Sequence, residues 1–326
     1  MLGKFSFKAY RRTFPLPYQT SGRVWREREG YIVRFDKGDG RFGYGEVAPI
    51  PIFGTETLFA ARAFLQEFTE DPSIDLPIDL PCCCFGVAST MHSNAAQRRD
   101  YPIAGLLPAG HKALELATVK VANGYRTLKW KVGVLNLVDE QAILHDLFNK
   151  TPDTVVFRLD PNGSWSEQEF VQWINFLQPF RHRIDFIEQP LPVNKELIMA
   201  ELVAQSGLDI ALDESLNGLE GTRWLCEWKG PLVIKAPLMG DLDSLVELLR
   251  PRAKQIVFSS VFETGVGLLN TLQLADALPE MNRAIGFDTS IFLDKLNISI
   301  GKPLLAISDR INISPDYIWK QLPDLS

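Results

Sequence analysis

The chain has 326 residues, 46% of them hydrophobic and 23% charged, which fits a globular protein with one large domain or two of ordinary size. A formal net charge of -6 gives no basic field for nucleic acid or an anionic membrane, and the cationic patch from Arg23 to Arg28 is interleaved with glutamates, as mostly solvated surface would be. No apolar run approaches the roughly 20 residues of a bilayer span, and the start MLGKFSFKAYRRTFPLP lacks an apolar core with a small-residue cleavage site, so the cytoplasm is the expected compartment.

The first hundred residues read as strands followed by helix. KFSFKAY, EGYIVRFD and RFGYGEVAP alternate in polarity, the last two are joined by the turn DKGDG, and ETLFAARAFLQEF has helical spacing. This predicts a small α+β unit over residues 1–100. Cys82, Cys83 and Cys84 are adjacent and Cys226 is remote, so there is neither metal-ligand spacing nor a disulfide framework; small buried hydrophobes are expected.

From Tyr101 on, short apolar runs alternate with amphipathic helical segments. The runs are PIAGLLP, TLKWKV, TVVFRLD, IDFIEQP, DIALDES, PLVIKAP, QIVFSSVFE and RAIGFDTS. Strands buried on both faces lose their polar alternation, and eight of them with intervening helices predict a closed (β/α)7β barrel of the TIM type over residues 101–299. Residues from about 300 to 326 hold no further unit and are expected to pack back on the N-terminal cap.

Polar residues stand at the trailing ends of these runs. Lys131, Asp160, Glu188, Asp213, Lys235, Ser260 and Asp288 follow one another at intervals of 22 to 29 residues. In such a barrel the strand carboxyl ends share one pocket. Asp160, Glu188 and Asp213 would stand side by side there, and three crowded carboxylates with room for water and a substrate oxygen suit Mg2+, or Mn2+. An EF-hand reading of DPNGSW fails, because Trp165 and Val171 occupy the sixth and twelfth positions where Gly and Glu are needed.

Lys129 and Lys131 share one face of a strand. Burial and a neighbouring ammonium both lower a lysine's pKa, making Lys131 a candidate base and Lys129 its modulator, with Lys235 facing them from beyond the carboxylates. An alternating lysine pair can also protect a sheet edge, but a closed barrel has no edge. The expected chemistry is proton abstraction beside the carboxylate of a small-molecule acid, the metal stabilising the enediolate.

The motifs K-W-K (Lys129–Lys131), L-D-P-N (Leu159–Asn162), I-E-Q-P (Ile187–Pro190), L-D-E-S (Leu212–Ser215) and I-K-A-P (Ile234–Pro237) resemble those of the enolase superfamily, muconate-lactonizing subgroup. G-Y-G-E-V-A-P-I-P-I-F-G (Gly43–Gly54) is similar to that subgroup's capping loop. With R-L-D-P-N-G-S-W and S-S-V-F-E-T-G-V-G, it points to the branch that dehydrates 2-succinyl-6-hydroxy-2,4-cyclohexadiene-1-carboxylate on the way to menaquinone and phylloquinone. The resemblance implies that Lys131 takes the proton and protonates the departing hydroxyl, that Lys235 stays charged, that Arg158 and Asn162 orient the substrate, and that Ser260 and the Val261 amide receive the succinyl tail. Tyr10, Thr20, Arg23 and Phe53 are candidate substrate-facing cap residues, and Glu263 is a candidate to hold a loop or position Lys235.

Lysines on both sides of a substrate also suit two-base racemisation, as in N-succinylamino acid racemases or dipeptide epimerases, and muconate cycloisomerisation is a further alternative. The epimerases carry D-x-D in the eighth strand, where F-D-T-S (Phe287–Ser290) offers only Asp288. A carboxylate-binding barrel without turnover is the non-enzyme alternative. The sequence leaves the oligomeric state open.

Overall fold

In a computed structural model the chain is described over residues 4–20, 23–92, 99–288, 302–311 and 313–324. Strands β1 (Lys4–Thr20), β2 (Arg23–Asp36) and β3 (Phe42–Val47) form an antiparallel sheet in that order. Helix α1 (Leu58–Glu70) starts where the Thr57 hydroxyl accepts from the Ala60 amide, and it buries Ala61, Phe64, Leu65 and Phe68 at helical spacing. These side chains meet Phe5 and Val33 of the sheet and Cys82, Cys83 and Val87 of α2 (Pro81–Met91) in one apolar cluster. A Cβ on Gly45 would lie 1.8 Å from the Gly86 carbonyl oxygen, so β3 can approach α2 this closely only with glycine at that position.

Short β4 (Tyr101–Pro102) leads to the barrel strand β5 (Gly105–Leu107) and helix α3 (Lys112–Ala122). Strand β6 (Thr127–Lys131), helix α4 (Leu137–Lys150), strand β7 (Val156–Asp160), helix α5 (Glu167–Leu177) and strand β8 (Ile184–Glu188) follow. Then come α6 (Glu196–Val203), β9 (Ile210–Ala211), the single turns α7 (Gly218–Gly221) and α8 (Trp224–Glu227), β10 (Leu232–Ile234), α9 (Leu242–Leu249), β11 (Ile256–Phe258) and α10 (Gly265–Asp276).

The order β5–β6–β7–β8–β9 is one parallel sheet and β10–β11 another. Single parallel bridges close the ring: Leu212 with Leu232, Ser259 with Gly286, and Ile103 with Ile285. Among the described residues the eighth run, expected as a strand, is a bridged segment at Ile285 and Gly286. The outer helices are fixed by local sequence. Ser166 and Glu169 form a reciprocal capping box at the start of α5, whose Phe170, Trp173, Ile174 and Leu177 are buried.

Beyond the barrel lie β12 (Leu304–Leu305), which pairs with β4, and helices α11 (Ile307–Ile311) and α12 (Pro315–Gln321). Trp319 of α12 packs on Tyr44 and under the Arg34 guanidinium of the cap sheet, and the Tyr44 hydroxyl donates to Asp316 at 3.0 Å. Cys82, Cys83 and Cys84 are buried as expected, but Cys226 is exposed, because it falls on the outer face of the one-turn helix α8. Among the described residues no helix is long and apolar enough to cross a membrane.

Candidate active site

Ladder register decides what meets at the top of the barrel. Lys129 stands opposite Arg158 and Lys131 opposite Asp160, while Glu188 is level with Ala211, two residues before Asp213. The flanking Leu128 and Trp130 are buried on the other face of β6. The structure thus brings Lys129, Lys131, Asp160, Asn162, Asp213 and Lys235 onto the wall of one cavity of about 580 Å3. Its rim adds Trp25, Ile50 and Phe53 from the cap and Ser259, Ser260, Val261, Phe262 and Asp288 from the later strands. A second cavity, about 640 Å3, adjoins it at Phe53 and Lys235. The smaller one holds Lys129, Lys131, Asp160 and Asp213 together and is the candidate reactive site.

Within it Lys129 stands among the acids, 2.8 Å from Asp160 Oδ2 and 2.7 Å from Glu188 Oε1. Burial works against its charge, but Asp160, Glu188 and Asp213 outweigh burial and hold its pKa well above the usual lysine range. Lys131 instead donates to Asn162 Oδ1 at 2.9 Å. Burial pulls its pKa down, Asp160 pulls up, and the Lys129 ammonium pushes down again, leaving Lys131 below the ordinary value. The two lysines of K-W-K therefore have opposite protonation tendencies. Lys235 is paired with Asp213, which overcomes burial and raises its pKa; its ammonium also lies 4.9 Å from the Phe53 ring centroid.

The acids are crowded. Burial, with the Asp160 charge next in weight, lifts the Glu188 carboxyl to about 8. Glu214, beside Asp213, rises to about 7 through burial and its neighbour's charge. Four carboxylates face three lysines, so the set suits an added hard cation with oxygen ligands. Among the described residues, however, no three acidic, histidine or cysteine side chains are arranged as a metal cage. Lys129 bridges Asp160 and Glu188, and Lys235 is paired with Asp213.

The remaining expected residues divide. Asn162, at φ 49, is held by Glu214 Oε1, which accepts from its Nδ2 at 3.2 Å. Arg158 is not on the cavity wall: buried at 1% exposure, it donates to Asp185 Oδ2 and the Ala284 carbonyl and lies against Phe186, because its place in β7 is one pleat below Asp160. Val261 lines the cavity, but its amide is taken by Glu263 Oε2 at 2.7 Å and is no free donor. Ser260 Oγ donates to the same carboxylate at 2.8 Å, so Glu263 holds this loop, as one of its two expected roles required. Phe53 faces the cavity; the Tyr10 hydroxyl turns away to Glu46 at 2.6 Å. The side chains of Thr20 and Arg23, and residues Thr289 and Ser290, lie outside the described residues.

Sequence reasoning missed several supports. Gln189 Oε1 accepts from the Asp213 and Ser215 amides, both at 3.1 Å, and so fixes the turn that carries the third carboxylate. Glu140 accepts from the amides of Gly133, Val134 and Leu135 and fixes the loop after Lys131. Gln189 was visible inside I-E-Q-P, where a buried amide between a ligand-type acid and proline signals a polar anchor. Arg28 departs from the expectation for the stretch Arg23 to Arg28: it is only 3% exposed, because the Val261, Pro49 and Ala48 carbonyls accept from its guanidinium, while Arg26 and Glu27 stay exposed.

Residues 112–290 match the family model described as "Enolase C-terminal domain-like", and residues 6–93 match "MenC, N-terminal domain". The o-succinylbenzoate synthase of Thermosynechococcus vestitus is 37% identical over 295 residues, covering 84% of this chain and 91% of the relative. The chain belongs to the o-succinylbenzoate synthase family. The synthase of Yersinia enterocolitica, another member, is 30% identical over 78% of this chain and 80% of its own. The crystal structure of the Thermosynechococcus elongatus synthase, complexed with magnesium in the active site, superposes with a TM-score of 0.84 at 32% identity, over 98% of this chain and 100% of that one. Dipeptide epimerase from Enterococcus faecalis, at 18% identity and a TM-score of 0.73, shares the fold. Members of the family are lyases, and this chain is an enzyme of that class.

Proposed function

We propose that the chain dehydrates 2-succinyl-6-hydroxy-2,4-cyclohexadiene-1-carboxylate to 2-succinylbenzoate, the product its relatives are named for, as a step toward menaquinone or phylloquinone. The observation that carries this reading is that Lys131, with a lowered pKa, and Lys235, with a raised one, line one cavity on either side of Asp160 and Asp213. Asp160, Glu188 and Asp213 would hold Mg2+, which supplies positive charge for the substrate carboxylate as the α-carbon loses its proton.

Lys131, as the free amine, takes the proton from the carbon bearing the carboxylate. The electron pair passes through the carboxylate and returns to expel the ring hydroxyl, completing the aromatic ring. Lys131 then delivers the same proton to the leaving oxygen, so one water departs and the lysine is regenerated. Lys235 remains an ammonium and stabilises developing negative charge from the other side. Asn162 keeps the Lys131 nitrogen in place, and the wall at Ser260 and Val261 receives the succinyl tail.

Epimerisation of a dipeptide is the weaker reading on one specific ground. Asp288, the single acid left in the eighth strand, accepts from Lys120 Nζ, from the Leu106 amide at 2.8 Å and from the Tyr125 hydroxyl at 3.1 Å, so its charge is already balanced by a lysine. The test is turnover of freshly generated diene acid followed by absorbance with Mg2+ and with chelator. Rapid metal-dependent loss of the diene supports the synthase reading; a folded, magnesium-binding protein that leaves the diene untouched would overturn it.

A further inference from the structure

The cap touches the reactive cavity through Trp25, Ile50 and Phe53, and it grips the barrel through two buried arginines. Arg12 of β1 and Arg28 of β2 are direct ladder partners, each 3% exposed. Like charges paired across a ladder repel, so this placement needs compensation. It comes from the backbone of the loop after β11. Arg28 Nε donates to the Val261 carbonyl at 3.1 Å and Arg12 Nη1 to the Glu263 carbonyl at 3.1 Å. Between these carbonyls sits Phe262 at φ 62, a left-handed conformation that a bulky residue adopts only when its surroundings impose it.

Arg28 reaches further. Its Nη1 donates to the Pro49 carbonyl at 3.0 Å and its Nη2 to the Ala48 carbonyl, so one guanidinium ties the cap loop leading to Ile50 and Phe53 to the barrel loop bearing Ser260, Val261 and Phe262. The Phe262 ring is in turn packed against Phe14 and Trp25 of the cap hairpin, with centroids 5.3 Å and 6.0 Å away. Glu263 completes the loop from the barrel side through Ser260 and the Val261 amide.

We propose that Arg28 and Arg12 are positioning residues, which set the substrate-facing shape of the Ser260–Phe262 loop by holding the carbonyls on either side of Phe262. This rests on the reading that this loop receives the succinyl tail. The cap is then a part of the substrate site through its backbone grip on the barrel, in addition to being its cover. An ammonium cannot reproduce the guanidinium's fork, so lysine at these positions keeps the charge and loosens the loop.

The experiment compares the full-length chain with Arg28→Lys and Arg12→Lys by hydrogen exchange and by steady-state kinetics with Mg2+ and the diene acid. Exchange over residues 259–264 should quicken at least about tenfold while peptides from β6, β7 and β8 stay unchanged. KM should rise about tenfold with kcat within about threefold, the signature of lost binding rather than lost chemistry. Arg12→Lys carries the same test if Arg28→Lys fails to fold, since it loosens a different carbonyl. Unchanged exchange in the folded variants would overturn the grip. Faster exchange with unchanged KM would overturn the positioning role and, with it, the tail assignment. Absence of turnover in the wild-type chain would count against the synthase reading, and the exchange comparison would still decide the grip.

Discussion

Removing the Glu46 carboxylate should be among the most damaging changes outside the reactive cavity. Glu46 lies in β3 at 1% exposure and accepts from the Tyr10 hydroxyl at 2.6 Å, from the Thr264 amide at 2.9 Å, from the Thr264 hydroxyl and from the Gly267 amide at 2.9 Å. The two amides open helix α10, so a cap residue 218 positions away supplies that helix with its N-terminal anion. Gly267 has to be glycine, because a Cβ there would lie 2.7 Å from Glu46 Oε2. Glu46→Ala leaves four buried donors without their acceptor, at about 1–3 kcal/mol each, and removes roughly 0.3–1 kcal/mol of dipole interaction. The desolvation recovered by deleting a buried charge offsets part of this. A net loss of about 4 kcal/mol is expected, read from the urea midpoint by tryptophan fluorescence with an unchanged m-value. Glu46→Gln keeps an acceptor oxygen and should lose about half as much. A loss below about 1 kcal/mol for the alanine variant would refute the claim that this carboxylate joins cap to barrel.

Other outcomes follow from the same contacts. Burial lifts the Glu263 carboxyl from the model-peptide value of 4.5 to about 7, so the folded chain holds this proton more tightly than the unfolded one. Stability from this group is complete below about pH 4.5 and is lost as pH rises to about 7, an effect on the order of 3 kcal/mol. Glu263→Gln should therefore flatten the pH dependence of unfolding in that window, and an unchanged slope would contradict it. Mg2+ at 100 times its Kd should stabilise the fold by about 2.7 kcal/mol, a thermal shift that Glu188→Gln or Asp213→Asn abolishes. Glu214→Ala, which releases Asn162 and through it Lys131, should lower kcat about tenfold, whereas Glu214→Gln keeps the acceptor and should stay within about threefold.

The residues proposed to carry the chemistry were legible because parallel strands buried on both faces have nowhere to put a polar side chain except their ends. Lys131, Asp160, Asp213 and Lys235 stand out for that reason, and the barrel was readable from the same runs. The sequence did not show the hands that hold them. Arg28 meets Val261 across 233 positions, and a buried arginine paired to carbonyls looks, in a string of Arg and Glu, like any solvated one. Arg158 erred in the opposite sense: its neighbour Asp160 ends the strand, but one pleat lower the side chain pairs with Asp185 instead of reaching the cavity. The Val261 amide looked free because its acceptor, the Glu263 carboxylate, stands two residues on and folds back onto it, which no sequence pattern marks.

In the proposed reaction Lys131 moves the proton while Lys235 holds charge. The decisive measurement is turnover of the diene acid by Lys131→Ala and Lys235→Ala beside the wild type, with Mg2+ binding followed in the same samples by thermal shift. Loss of at least about 1,000-fold in kcat for Lys131→Ala, with Mg2+ stabilisation retained, is the expected result. Turnover within about tenfold of wild type would contradict the assignment of the base.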